Sequence, residues 1–191
     1  DRVRFQLAFT LGECDGTRSD ALLANLVRDS RNGGDIRTAL LSSVAGNAGR
    51  LAVELIEDAE FVAGQNAIEW VSELCLIVGA SPDVGAAATL LAATVSSQHS
   101  SAIQQVVLAE LGEGLSRRGS SVARLLMNDS TSEDVRSQVS ALFHRATKVA
   151  SDEQRSMEDR VEAIGLLAFA DLQIATEHLP EFLTPQTPQA L

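Results

Sequence analysis

The stretch that decides the fold class is residues 133–150, which read EDVRSQVSALFHRATKVA. Its apolar residues recur every three or four positions, so they share one side of an α-helix, whereas a β-strand needs strict alternation. No other segment of the chain alternates convincingly as a strand. The stretch therefore predicts an amphipathic helix and points to an all-α fold. Its apolar positions are Val135, Val139, Leu142, Phe143, Ala146 and Val149.

The same spacing recurs along the chain and is interrupted by short runs of turn and capping residues. We expect about ten helices of roughly 10 to 18 residues, joined by short loops as in antiparallel helical neighbours. Three further stripes are Ile68, Val71, Leu74, Cys75 and Val78; Ile103, Val106, Val107, Leu111 and Leu115; and Val161, Ile164 and Ala168. The predicted breaks lie at residues 12–17, 32–34, 81–83, 96–101, 128–132 and 151–156.

A local pattern recurs at three helix starts, where an acidic residue is followed by a β-branched residue and then an arginine. The carboxylate complements the free amides of the first turn, and we expect the aliphatic residue to enter the core and the arginine to reach an acid on the neighbouring repeat. Residues 159–161 are a degenerate fourth copy. The three copies are Asp1, Val3 and Arg4; Asp35, Ile36 and Arg37; and Asp134, Val135 and Arg136.

These residues resemble the HEAT-like helical repeats of the phycobilisome-lyase type, and Val3-Arg4 with Ala8, Leu11 and Gly12 is the best match. Such repeats stack into an α-solenoid. The resemblance implies an all-α superhelix of about five HEAT-like helix pairs, forming a single repeat domain over residues 1–191. The copies are unevenly spaced, so the repeat is imperfect.

Three stretches are more specifically similar to the repeat segment of large exported bacterial proteins described as membrane-bound dehydrogenases: residues 2–12, 113–119 and 183–189. In those proteins a propeller-like dehydrogenase domain precedes the repeats and a c-type haem domain follows them. The resemblance implies an exported or periplasmic parent protein, of which this chain is a fragment. We expect the parent to continue, because Thr187 and Pro188 have the chemistry of a helix start.

Neither cysteine has the chemistry of a cofactor site. Cys14 is followed by Asp15 and Cys75 by Leu76, so neither begins the Cys-x-x-Cys-His motif that attaches a c-type haem. Two isolated cysteines also give neither a zinc spacing nor a disulfide framework. We predict ordinary thiols, no cofactor in this chain, and electron transfer only in other parts of the parent.

The charge of the chain limits its partners. A formal net charge of −11 opposes phosphate binding, and the clustered arginines at positions 117 and 118 have no interleaved aromatic residues to stack bases. The most apolar stretch, residues 74–95, is split by Ser81-Pro82-Asp83, so it predicts two short helices rather than a membrane span. We expect protein partners or neighbouring domains, with no nucleic acid and no membrane insertion.

Candidate chemical groups each have a simpler structural interpretation. The three histidines, His99, His144 and His178, lie too far apart for a metal site, so no metal is expected. The serine-rich turn around His99, residues 96–101, is interpreted as a loop with a helix cap rather than an activated nucleophile. The acidic pairs at residues 57–58, 133–134 and 158–159 are interpreted as solvated helix ends.

Trp70 and three glycines complete the candidates. Trp70 lies beside the apolar stripe of its helix, so it could be a core residue at the edge of that stripe or an exposed anchor for a partner. Gly112, Gly114 and Gly165 lie within helical patterns and are expected to permit close helix contacts.

The sequence predicts a non-catalytic helical-repeat scaffold or interaction module, whose acidic surface would prefer a basic partner or a neighbouring domain. The alternative is an enzyme on the same scaffold, of the lyase or glycosylase type, with a concave acidic site. A cleft containing Trp70 and a buried carboxylate of raised pKa would favour that alternative.

Overall fold

The computed structural model describes residues 2–14, 16–29, 34–44, 46–96 and 101–170. These residues form eleven α-helices and contain no β-strand, which confirms the all-α prediction. The helices are α1 (Arg2–Gly12), α2 (Thr17–Arg28), α3 (Gly34–Ser43), α4 (Ala48–Glu57), α5 (Ala59–Val62), α6 (Ala67–Ala80), α7 (Val84–Ser96), α8 (Ser101–Arg117), α9 (Val122–Leu126), α10 (Glu133–Ser151) and α11 (Met157–Leu167).

Serine caps set several of the helix starts, at the predicted breaks before α10 and α11 and also before α9, where no break was predicted. The side chains of Ser121, Ser132 and Ser156 each accept a hydrogen bond from a backbone amide in the first turn of the helix that follows. Each serine thereby satisfies an amide that has no partner inside its helix. Unpredicted breaks lie at residues 58, 63–66 and 118–121, which separate α4 from α5, α5 from α6 and α8 from α9, and α3 and α4 are also separate helices although no break was predicted between them.

The break at residues 81–83 divides the most apolar stretch, as predicted. Helix α6 ends at Ala80, Ser81 adopts an extended conformation, and Asp83 accepts a hydrogen bond from the Ala86 amide at the start of α7. Within the described parts of the chain, every helix is too short or too polar to cross a membrane.

Each helix packs mainly on helices one to three places away along the chain. One set of contacts joins α1 to α3, α6 to α8 and α8 to α11, and a second set joins α2 to α4, α4 to α7 and α7 to α10. Contacts such as α1 with α2, α4 with α6 and α10 with α11 connect the two sets. The buried apolar side chains from α1 to α11 consequently form one continuous core.

The buried face of α6 differs from the predicted stripe at two positions. Ile68, expected in the stripe, is 42% exposed, whereas Trp70, expected beside it, is 5% exposed. Trp70 is buried because α6 is covered by α4 on one side and α8 on the other, which makes its buried face wider than a single stripe. Ile68 is exposed because it lies in the first turn of α6, about three turns before the crossing with α8 at Gly79. That buried face consists of Ala67, Trp70, Val71, Leu74, Cys75, Val78 and Gly79.

Helices α6 and α8 cross at almost backbone contact. A Cβ atom placed on Gly114 would lie 2.5 Å from the carbonyl oxygen of Leu76 and 2.8 Å from the Cα atom of Gly79. The α1–α3 contact is similarly close, since a Cβ on Gly12 would lie 2.6 Å from that of Ser43. Gly112 also makes a close contact, with the ring of Phe169. The predicted role of glycine in close helix contacts is confirmed at Gly112 and Gly114.

Gly165 does not share this role. A Cβ atom on Gly165 would meet no atom within 4 Å, so the prediction of a close helix contact there is wrong. The residue faces away from α8 and α10, while Ala163, Leu166 and Leu167 form the buried side of α11.

The difference between Gly114 and Gly165 leads to a prediction about stability. Gly114→Ala should lower the free energy of unfolding by about 2 kcal/mol, because backbone atoms of α6 cannot rotate away from the added methyl group. Gly165→Ala, the matched control, should raise it by up to about 1 kcal/mol, because alanine favours the helix and meets open space. Urea unfolding followed by circular dichroism measures both. Equal effects of the two substitutions would contradict the close crossing.

Candidate functional site

Arg37 joins α3 to α6 through two carboxylates and an aromatic ring. Its Nε atom donates to Glu73 Oε2 at 2.8 Å, and its terminal nitrogen NH1 donates to Glu69. Its guanidinium carbon lies 5.2 Å from the centroid of the Trp70 ring. Glu69 and Glu73 are one helical turn apart, so they flank the ring and hold the guanidinium over it.

The surroundings of Arg37 keep its side chain charged. Burial of the guanidinium opposes the charge, but the hydrogen bonds and negative charges of Glu73 and Glu69 outweigh it and raise the pKa of Arg37. Trp70 is therefore a buried platform beneath an arginine, and its interpretation as an exposed anchor is wrong. Two features of the fold explain this: α4 and α8 enclose α6, and Arg37 covers the ring from α3.

A second arginine joins α2 to the end of α4. Arg28 Nε donates to Asp58 Oδ2 at 2.8 Å, and both terminal nitrogens of Arg28 lie 3.2 Å from Glu54 Oε1. Asp58 also caps α5 by accepting the amides of Glu60 and Phe61. The Phe61 amide and the Arg28 guanidinium lower the pKa of the Asp58 carboxyl below its ordinary value of 3.8.

A third polar contact crosses from α2 to α4 with the charges reversed. Asp20, which is 8% exposed, accepts a hydrogen bond from Asn47 Nδ2 at 2.9 Å and pairs with Arg50 at 2.9 Å. Asn47 in turn accepts from Arg50 at 2.6 Å, so the three side chains form a closed group. Both carboxylate oxygens of Asp20 are satisfied, which compensates for its burial.

The arginine of the recurring start pattern has two different roles. Arg37 reaches acids on another helix, since Glu69 and Glu73 belong to α6. Arg136 does not: its Nε atom donates to the carbonyl oxygen of Leu126 at 2.5 Å, at the end of α9. Arg160, in the degenerate copy, likewise donates to the carbonyl oxygen of Ala150 at 2.9 Å, near the end of α10. In both cases the arginine satisfies a carbonyl at the end of the preceding helix.

The aliphatic residue of the pattern is buried in two of its three copies. Ile36 and Val135 are 3% and 7% exposed, which confirms the prediction, but Val3 is 80% exposed, so the prediction is wrong there. Val3 lies nine residues before Gly12, which is half a turn around α1 from the side that contacts α3. Arg4 pairs with Asp29 at 2.9 Å.

The acidic residues of two copies of the pattern lie at helix starts. Asp35 and Asp134 lie in the first turns of α3 and α10, where carboxylates complement the helix dipole. Asp1 lies outside the described residues. The predicted helix-end positions of the acidic pairs are also confirmed: Glu133 and Glu158 are in first turns, and Glu57 ends α4.

The central part of the chain, residues 51–116, contains acidic residues but neither lysine nor arginine. Arg28, Arg37 and Arg117 from outside this stretch pair with some of its carboxylates. The acids of the stretch are Glu54, Glu57, Asp58, Glu60, Glu69, Glu73, Asp83, Glu110 and Glu113.

A groove of about 470 Å³ lies between α4 and α7 within this central part. Glu54, Glu57 and Asp83 line it, together with the small side chains of Ala86 and Thr89. Glu57 is exposed and has no ion-pair partner in the described part of the chain. The lining also contains Arg50, but Asp20 and Asn47 already hold its guanidinium. The groove therefore places carboxylates beside the small, uncharged side chains of Ala86 and Thr89.

The remaining candidates are separate from one another. Cys14 and Cys75 are free thiols; Cys14 is exposed, and burial raises the pKa of Cys75, which keeps that thiol protonated. His144 is exposed on α10, whereas His99 and His178 lie outside the described residues, as does most of the serine-rich turn. Among the residues that are described, no group of three or more histidine, cysteine or acidic side chains could hold a metal ion.

Sequence reasoning missed the contacts of Arg28 and Asp20. Arg28 pairs with acids 26 and 30 residues later, and Arg37 with acids 32 and 36 residues later. The signal that could have found the contacts of Arg28 and Arg37 is a carboxylate 26 to 36 residues after the arginine. Such separations carry no signal in any single helix, since they depend on how the helices stack.

Comparison of the chain with known protein families, with curated proteins and with solved structures found no match. The relation to HEAT-like repeats and to the exported dehydrogenase proteins therefore stays a prediction.

Arg37 gives a second stability prediction. Arg37→Ala should lower the free energy of unfolding by about 2 kcal/mol, since it leaves Glu69 and Glu73 side by side and uncovers Trp70. Arg117→Ala is the control, because Arg117 pairs with Glu113 on the solvent-exposed side of α8, and it should change stability by less than about 0.5 kcal/mol. Thermal unfolding followed by tryptophan fluorescence measures both variants. Similar losses of stability in the two would contradict a stabilising contact of Arg37 with Glu69, Glu73 and Trp70.

The lowered pKa of Asp58 predicts a dependence on pH. A depressed folded-state pKa gives stability that is present above the unfolded value and lost as pH falls through the folded value. Asp58→Asn keeps a good helix cap but removes the charge. The wild-type chain should exceed the variant in stability at neutral pH, and the difference should close at a pH below 3.8. Urea unfolding at several pH values tests this; a constant difference would refute it.

Proposed function

We propose that this chain is an α-solenoid of HEAT-like helix pairs that acts as a non-catalytic scaffold for a basic protein partner. The packing of each helix on helices one to three places away supports the solenoid, because repeats contact only their neighbours. The bridges of Arg28 and Arg37 add to that support, since each joins one helix pair to the next.

The charge of the central part carries the proposal for the partner. Residues 51–116 contribute carboxylates without a lysine or arginine of their own, and the α4–α7 groove places Glu57 and Asp83 on an accessible surface. A lysine- or arginine-rich segment lying along this groove would gain charge complementarity at little cost in conformational change. The partner is either a separate protein or a neighbouring domain of the same polypeptide.

The enzyme alternative has no observation in its favour. Its expected feature was a cleft that contains Trp70 and a carboxylate of raised pKa. Trp70 is instead buried beneath Arg37, and the pKa of the Asp58 carboxyl is lowered. Export and a dehydrogenase parent rest on the resemblance alone.

Binding of a fluorescein-labelled arginine-rich peptide tests the proposal by fluorescence anisotropy. We expect binding that weakens as salt rises, and an affinity about five- to thirtyfold lower for the double variant Glu57→Gln with Asp83→Asn. The asparagine keeps the cap of α7.

The matched control is Asp129→Asn with Glu153→Gln, which removes the same charge from exposed positions elsewhere. It should retain nearly full affinity. Equal losses of peptide affinity in the two double variants would indicate unspecific attraction to an acidic chain. Absence of binding at low salt would overturn the proposal of a basic partner.

A further inference from the structure

The turn between α8 and α9 joins a pair of arginines to two serines, since residues 117–121 read Arg-Arg-Gly-Ser-Ser. Arg117 and Arg118 are the only adjacent lysine or arginine residues in the sequence. Arg124 adds a third arginine within α9. Ser120 lies three residues after the first arginine of the pair and two residues after the second. The α4–α7 groove does not include this basic turn, so the scaffold function leaves it without a role.

Two arginines near Ser120 have guanidinium donors to spare. Arg124 turns back towards the start of its helix, where its terminal nitrogen NH1 donates to the carbonyl oxygen of Gly119 at 3.0 Å. That carbonyl belongs to the peptide group that joins Gly119 to Ser120. The Nε atom of Arg118 is buried and has no hydrogen-bond partner within the described residues. A negative group on Ser120 would therefore lie beside Arg124 and within reach of Arg118, two residues before it.

The two serines of the turn differ in how their hydroxyl groups are used. Ser121 caps α9, because its Oγ atom accepts the Arg124 amide at 3.2 Å. The backbone amide of Ser120 donates to the Leu115 carbonyl oxygen at 2.9 Å, but its hydroxyl makes no hydrogen bond within the part of the chain that the structure describes. Ser120 is half-buried and follows Gly119, which is exposed. The hydroxyl of Ser120 is therefore the one that is free to react.

We propose that Ser120 is a phosphorylation site for a serine kinase that selects arginines two and three residues before the acceptor. Kinases distinguish substrates by such charge patterns. In the reaction, Ser120 Oγ attacks the γ-phosphorus of ATP, the bond from that phosphorus to the bridging oxygen breaks, and ADP leaves. The hydroxyl proton passes to the catalytic aspartate of the kinase. The site shares no residue with the α4–α7 groove and is independent of the basic partner proposed there.

The kinase can reach the arginine pair if the last turn of α8 opens. That turn is held by two backbone hydrogen bonds of 2.9 Å, from the Gly119 amide to Ser116 and from the Ser120 amide to Leu115. None of residues 116–121 is buried, so the turn can open without exposing the core. The turn is therefore among the parts of the molecule that a kinase can take up at small cost.

Once added, the phosphate should pair with the arginines. It brings about two negative charges at neutral pH and three acceptor oxygens. The last carbonyls of α8 would repel it, but two of them already accept the amides of Gly119 and Ser120. Arg124 and Arg118 supply free donors on the other side. Phosphorylation should therefore stabilise the junction between α8 and α9.

Treatment of the folded chain with ATP and the catalytic subunit of cyclic-AMP-dependent protein kinase, which selects this arginine pattern, tests the site. Mass spectrometry of the digested product should locate one phosphate, on Ser120. Ser120→Ala should lose it, whereas Ser121→Asn, the matched control that keeps the cap of α9, should be phosphorylated like the parent chain. Arg117→Gln with Arg118→Gln should slow incorporation on the order of tenfold or more. Circular dichroism should show all variants folded.

Thermal unfolding of the phosphorylated and unmodified chains tests the pairing with arginine. Phosphorylation should raise the Tm by about 2–4 °C. The rise should be smaller in Arg124→Gln, which lacks the charge beside Ser120.

Two results would overturn the site: phosphate on Ser121 instead of Ser120, or phosphate on a peptide of residues 113–124 but not on the folded chain. An unchanged or lowered Tm, or an equal rise in Arg124→Gln, would overturn the pairing of the phosphate with Arg124. None of these results depends on peptide binding at the α4–α7 groove.

Discussion

The near backbone contact of Gly79 and Gly114 fixes the distance between α6 and α8, and the arrangement around α6 depends on it. With no side chain between the two helices, their backbones approach as closely as sterics allow. On its α3 side the same helix carries Trp70, whose ring supports Arg37. Helices α3 and α6 consequently stay further apart than α6 and α8. Helix α6 therefore has a tight crossing on one side and an aromatic spacer on the other.

Arginine side chains make several of the ion pairs and hydrogen bonds that connect one helix to another. In the first half of the chain, Arg28 and Arg37 each bridge two carboxylates of a later helix, and geometry of this kind suits a planar guanidinium with several donors. In the second half, Arg136 and Arg160 instead satisfy carbonyls at the ends of preceding helices. The carboxylates of the central part that remain unpaired, such as Glu57, are therefore available on the surface. The proposed acidic interaction surface is a by-product of how the arginines are used.

The helices themselves could be predicted because their signals are local. The stripe in residues 133–150 and the serines before α10 and α11 act within one helix, through side-chain periodicity and first-turn hydrogen bonds. Most predictions that failed concern contacts between helices, namely which side of a helix a neighbour covers and which group Arg136 reaches. Val3 and Ile68 have the expected helical conformation, and Trp70 was left open between core and surface. The burial of all three depends on α3, α4 and α8, which lie elsewhere in the sequence.

The sequence by itself determined the all-α class, most helix boundaries, the split between α6 and α7, and the acidic character of the chain. Composition, capping residues and periodicity are sufficient for these because each involves interactions within a few residues. Only the tertiary structure decided that Arg37 covers Trp70, that Gly114 meets a backbone while Gly165 meets open space, and that Glu57 and Asp83 share a groove. Those features join residues tens of positions apart, and the close packing of helices, rather than any local preference, brings them together.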